Sequence, residues 1–203
     1  KEESLKLLNQ SYNRMEDNQI DDFLLGAMED LSESKYFNTN YTLSLIQNIL
    51  EYTIEITSSD TILTSEQSQI VADISNNLVD FASENDCSCS TSFCLSLEAK
   101  IQEYLDKISE SNLFNKLPGE EPVTIETEYF DLLTAKVTAC TINETSYSMG
   151  PDTPTLNFSS INNQDLDCDT ELSIEYYAFK SRSQIFNCGE QDPSNIKKEI
   201  AIK

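Results

Sequence analysis

The chain lacks histidine and tryptophan altogether, and among its 203 residues it has only four glycines and 13 basic residues. Each shortage removes a class of function. Without histidine there is no Ser-His-Asp or Cys-His machinery and no side chain that shuttles protons readily near neutral pH. Four glycines leave no Gly-rich phosphate loop, and the missing tryptophan removes the usual sugar-stacking platform. Thirteen basic against 36 acidic residues, a formal net charge of −23, rule out nucleic acid and anionic membrane surfaces as partners, because both are held by Lys and Arg. No apolar run approaches the ~18 residues of a membrane span; "YTLSLIQNILEYTIEI" is interrupted by Ser, Gln, Asn and Glu. Acidic pairs such as Asp21–Asp22 and Glu120–Glu121 occur throughout and read as solvated charges, so no pair stands out as a general acid and base and no enzyme activity is expected.

What the chain does have is sulfur. Six cysteines are present, with Cys87, Cys89 and Cys94 clustered in "CSCSTSFC" and Cys140, Cys168 and Cys188 standing apart. The Cys-x-Cys and Cys-x4-Cys spacings, with no histidine to complete a ligand set, do not fit structural zinc. A redox Cys-x-x-Cys is absent. Disulfides fit, with three cysteines in each half, so full pairing within the chain needs at least one bridge between halves. Six cysteines allow fifteen connectivities, which stay open here. Four Asn-x-Ser/Thr sequons, at Asn9, Asn40, Asn143 and Asn157, point to the same oxidising, glycosylating compartment. A start at Lys1 without a signal peptide and a close on "KKEIAIK" read as a piece of a longer chain.

Periodicity divides the chain. Residues 1–117 carry helical stripes: Leu5, Leu8, Tyr12 and Met15; Ile20, Phe23, Leu24, Ala27, Met28 and Leu31; Leu43 to Ile56; Ile70, Ile74, Leu78 and Phe81 behind an N-cap at Thr64 or Ser65; and Leu97, Ile101, Tyr104, Leu105 and Ile108 after the cysteine loop. Pro118, Gly119 and Pro122 then break the pattern, and residues 118–203 read as strands: Val123–Phe130, Lys136–Ile142, Thr155–Phe158, Leu172–Phe179, Gln184–Cys188 and Glu199–Ile202. Tyr176 and Tyr177 are expected to place one ring inside and one outside, and "KSRS" to form a hairpin tip. The expected fold is α+β, an N-terminal helical subdomain followed by an antiparallel β-sandwich-like subdomain. Asp165, Asp167 and Asp169 alternate as at the start of an EF-hand loop. The glycine at the sixth position is Thr170, however, and the twelfth residue is Tyr176, so they are candidates only for a loose calcium site and no other cofactor is expected.

A Ser- and Asn-rich helical segment leading into "VTIETEYFDLLTAKVT" resembles the GAIN region of adhesion G-protein-coupled receptors and polycystin-like membrane proteins. The family's strand pattern I-x-T/S-x-x-F/Y-x-L/V-x4-V is matched by Ile125, Thr127, Phe130 or Tyr129, Leu132 or Leu133, and Val137. "CTINETSYSMGPDTPTLNFSS" and "SIEYYAFKSRSQIFNC" are similar to the later short strands. The resemblance implies a helical subdomain before a β-sandwich. It implies no self-cleavage, because the His-Leu-Ser/Thr tripeptide of the cleaving members has no counterpart here. The function it implies is that of a non-catalytic structural or adhesion module in a larger cell-surface or ciliary-surface protein. Its partners would be other extracellular domains or neighbouring domains of the same chain. Rival readings are a subunit of an extracellular filament or coat, pairing through edges such as Glu199–Ile202, and a secreted calcium-dependent binding protein.

Overall fold

Thr64 closes a capping box. Its Oγ1 accepts from the Gln67 amide at 3.2 Å, and Gln67 Oε1 accepts from the Thr64 amide at 2.9 Å, so two donors at the helix start are satisfied reciprocally. In the computed structural model, which describes residues 22–33, 49, 62–84, 92–148, 155–158, 166–180 and 198–202, this cap opens the second of the three helices whose ends fall among the described residues. These are α1 (Asp22–Ser32), α2 (Ser65–Glu84) and α3 (Ser92–Leu113). The Gln67 side chain also donates to Asp22 Oδ1 at 2.7 Å, and Asn77 Nδ2 donates to Ser32 Oγ at 2.8 Å, tying α2 to both ends of α1. Helix α3 starts at Ser92, so the backbone of Cys94 belongs to the helix and not to the loop before it. The expected helices over Leu5–Met15 and Leu43–Ile56 lie outside the described residues, Ile49 apart, which is buried.

The junction is a tight turn. The Glu120 amide donates to the Leu117 carbonyl at 3.2 Å across Pro118 and Gly119, with Gly119 at φ 87°, a conformation that glycine adopts without steric cost. Strands β1 (Val123–Glu126), β2 (Phe130–Thr138), β3 (Ser146–Tyr147), β4 (Leu156–Asn157), β5 (Glu171–Phe179) and β6 (Lys198–Ile202) follow. All described pairings are antiparallel, with a four-stranded sheet in the order β1-β2-β5-β6 and a two-stranded sheet β3-β4.

Two strand expectations need correction. Val123–Phe130 is not one strand: the chain turns at Thr127, whose amide and Oγ1 both donate to the Phe130 carbonyl, at 2.9 and 2.7 Å, while the Phe130 amide donates to Thr127 Oγ1 at 3.0 Å. The threonine hydroxyl substitutes for the glycine or asparagine such a turn usually advertises. Lys136–Ile142 is not a strand throughout, because β2 ends at Thr138 and Ile142–Glu144 forms a single 3-10 turn. Gln184–Cys188 lies outside the described residues.

Strand alternation sends the two faces of the sheet to different neighbours. Ile125, Phe130, Leu132 and Tyr177 join the helical core of Leu25, Met28, Ile74, Leu78, Ile101, Tyr104 and Ile108. Leu133, Ala135, Val137, Ile174, Tyr176 and Ala178 face the other way, against Ile142, Leu156 and Phe158. Tyr147 and Phe158 meet edge-on, ring centroids 6.4 Å apart, beneath the small sheet. The architecture is α+β in three layers, helices, sheet and a two-stranded sheet, with one apolar cluster running from the helices into the sheet. Because both faces are covered, Tyr176 and Tyr177 are both buried, at 1% and 3% exposure, which corrects the expectation of one surface ring.

Candidate functional site

The central ladder determines which described cysteines meet. Pairing of β2 with β5 runs from Phe130↔Phe179 to Thr138↔Glu171, and the ladder continues beyond the strands as Ala139 N donates to Thr170 O at 2.9 Å and Cys140 N to Cys168 O at 3.3 Å. That register sets the two α-carbons 4.7 Å apart, within the range a disulfide needs, and Cys140 and Cys168 are bridged. The bridge joins two residues of the sheet-forming half, 28 apart in sequence, and both are exposed. Cys87, Cys89 and Cys188 lie outside the described residues, and only the backbone of Cys94 is described.

Asn143 lies on the 3-10 turn just after the bridge, and Asn157 lies on β4, opposite Ser146 of β3. Both asparagines are exposed, so folding brings two of the four sequons into the same small layer. Asn9 and Asn40 lie outside the described residues, as does Asp165. Asp167 and Asp169 are exposed in a turn where the Thr170 amide donates to the Asp167 carbonyl at 2.9 Å. Among the described residues no three carboxylate or cysteine side chains gather as a metal site would require. No helix among them is long and apolar enough to cross a membrane.

A second polar cluster, which sequence reasoning missed, laces the helices to the sheet. Tyr177 OH donates to Asp106 Oδ1 at 3.0 Å and lies 3.0 Å from Ser109 Oγ, both on α3. Tyr129 OH donates to Asp80 Oδ1 of α2, and the Tyr129 amide donates to Asn76 Oδ1 at 3.1 Å. Tyr129 and Tyr177 thus each find a helical carboxylate for a hydroxyl withdrawn from water, whereas the Tyr176 hydroxyl, buried on the other face, has no hydrogen-bond partner among the described residues. Lys180 serves the opposite face: its ammonium is 2.8 Å from the buried Asp131 Oδ1 and also donates to the Thr127 carbonyl, holding the turn closed. "KSRS" therefore begins with a residue committed to an ion pair, and Ser181 to Ser183 lie outside the described residues. The i, i+4 and i, i+3 spacings of Asn76–Asp80 and Asp106–Ser109 were visible in sequence, but nothing marked them as facing a tyrosine.

Burial raises the Tyr177 phenol well above its ordinary value of 10.0. The Ser109 hydrogen bond works against that rise, and the charges of Asp106 and Glu175 add to it. The group therefore stays protonated in the folded chain at pH values where the unfolded chain ionises, so its contribution is intact below pH 10.0 and is lost as the pH rises above it. Tyr177→Phe is expected to cost about 1–2 kcal/mol at neutral pH, because Ser109 Oγ loses its buried partner. The variant is also expected to flatten the alkaline loss of stability. Urea midpoints of both proteins on either side of pH 10.0 check this, and parallel pH curves would contradict it.

On the helical layer, burial and then the charges of Asp73 and Asp30 push the Glu29 carboxyl up. Burial likewise raises Asp73, against the lowering effect of its hydrogen bond from Gln69. The like charges sit on the adjacent helices α1 and α2; on α3, Lys100 and Lys107 pair with Glu103 and Glu110 at 2.7 and 3.2 Å. No protein-family model matches the chain, and no curated protein matches it.

Proposed function

We propose that this chain is a non-catalytic structural or adhesion module of a larger cell-surface or ciliary-surface protein, built on a GAIN-like plan without self-cleavage. The observation that carries the reading is the Cys140–Cys168 bridge across the exposed end of the central β2–β5 ladder. Such crosslinks persist in oxidising compartments and are reduced in the cytosol, which favours an extracellular location. Helices placed before an antiparallel sheet support the GAIN-like resemblance at the level of order. The acidic, self-repelling surface suits contact with other extracellular domains or with neighbouring domains of the same chain, and not with nucleic acid.

A spacing or load-bearing role has a mechanical signature. The bridge spans 28 residues, which at about 3.4 Å each withholds roughly 95 Å of extension from a stretched chain. Pulled from its ends, the native protein is expected to unfold in cooperative force peaks. It should also release roughly 95 Å less length than a variant carrying Cys140→Ser and Cys168→Ser. A chain that extends without a force peak would contradict the load-bearing role.

A further inference from the structure

Asn143 and Asn157 are fourteen residues apart in the sequence, yet the fold brings them close to one another at the β3–β4 layer. Ser146 of β3 is the direct partner of Asn157 on β4, and Asn143 precedes Ser146 by three residues. Three residues span at most ~10 Å and neighbouring strands lie ~5 Å apart, so the two asparagines are within about 15 Å of each other. Both face outward. Asn157 sits between Leu156 and Phe158, which are buried against the large sheet, and alternation along the strand turns the residue between them away from it. Asn143 follows the buried Ile142 and is exposed. Cys140, one end of the exposed bridge, lies three residues before Asn143.

We infer that Asn143 and Asn157 are both N-glycosylated and that the two glycans form a paired cover over the outer side of the β3–β4 layer, beside the Cys140–Cys168 bridge. The inference rests on the secretory reading given above. In each transfer the asparagine Nδ2 attacks the anomeric carbon of an oligosaccharide carried on a lipid diphosphate. A C–N bond forms as the C–O bond to the diphosphate breaks; the lipid diphosphate leaves with the electron pair, and the amide gives up one proton. The placement lets two acceptors be filled without disturbing the core: the apolar residues of the layer point inward, and a bulky polar group on its outer side stays clear of them. Access governs the rate at which a thiolate reaches a disulfide, so the cover should also slow reduction of the bridge.

The test uses the whole chain secreted from eukaryotic cells, digested without reduction and treated with an amidase in heavy-oxygen water, which labels each formerly glycosylated asparagine as aspartate. Label at both Asn143 and Asn157 is expected, with Asn143→Gln and Asn157→Gln each removing one glycan-sized step in gel mobility. Thr145→Ala should remove the same step as Asn143→Gln, because it destroys the sequon while keeping the asparagine. The double Asn→Gln variant should lose its bridge to dithiothreitol several-fold faster than the glycosylated chain. A bare asparagine at either position in a chain with the bridge intact overturns this inference and leaves the secretory reading standing. Two glycans with an unchanged reduction rate overturn the cover. Free thiols at Cys140 and Cys168 overturn the secretory reading itself.

Discussion

Replacing Phe130 by alanine is expected to lower the unfolding free energy by about 3–5 kcal/mol. Phe130 is 0% exposed, begins β2 and belongs to the apolar cluster that the sheet shares with the helices. Its backbone closes the turn with Thr127 through hydrogen bonds that alanine keeps, so the substitution reports on packing between the layers and not on the hairpin. Urea unfolding followed by far-ultraviolet circular dichroism measures the loss. Phe114→Ala, at a position 60% exposed, is the control and should shift stability by no more than about 0.5 kcal/mol. Equal effects at the two positions would mean that the helices do not pack on the sheet through Phe130.

Loss of the Cys140–Cys168 bridge is expected to cost nearly as much. Crosslinking residues 28 apart removes loop-closure entropy from the unfolded chain worth about 3–4 kcal/mol, and both positions are exposed, so replacement by serine buries no new polar group. The variant with Cys140→Ser and Cys168→Ser should melt lower by an amount on the order of 10 °C, with its far-ultraviolet spectrum retained. Because the effect operates on the unfolded state, the unfolding rate should change less than the folding rate. An unchanged melting temperature would show that the ladder register alone holds Cys140 against Cys168.

Helix α3 was legible residue by residue: Leu97, Ile101, Tyr104, Leu105 and Ile108 repeat at helical spacing and all are buried. Helix α2 was legible in position but broader in contact. Ile74, Leu78 and Phe81 are buried as expected, Ile70 is only partly buried against the same core, and Val71, Ala72, Val79 and Ala82 join them because the helix packs against α1 and α3 at once. In α1 the buried positions include Leu25, which the expected stripe through Leu24 and Met28 passed over. The turn at Thr127 escaped because its sequence carries no glycine, proline or asparagine, and its geometry depends on a hydroxyl whose partner is three residues away. The tyrosine seam and the Asp131–Lys180 pair escaped for a different reason. Each joins residues dozens of positions apart, and which partner a polar side chain meets is set by strand register and helix placement, not by local pattern. The bridge is the same case: the sequence supplied six sulfurs, and only the β2–β5 ladder selects Cys168 for Cys140.

The most direct test is peptide mapping under non-reducing conditions on the native protein, with thiols blocked at lysis. The account predicts a crosslinked species joining the Cys140 and Cys168 peptides to each other, converted to two on reduction. Recovery of both peptides as blocked thiols would contradict it, and would remove the support for an extracellular role.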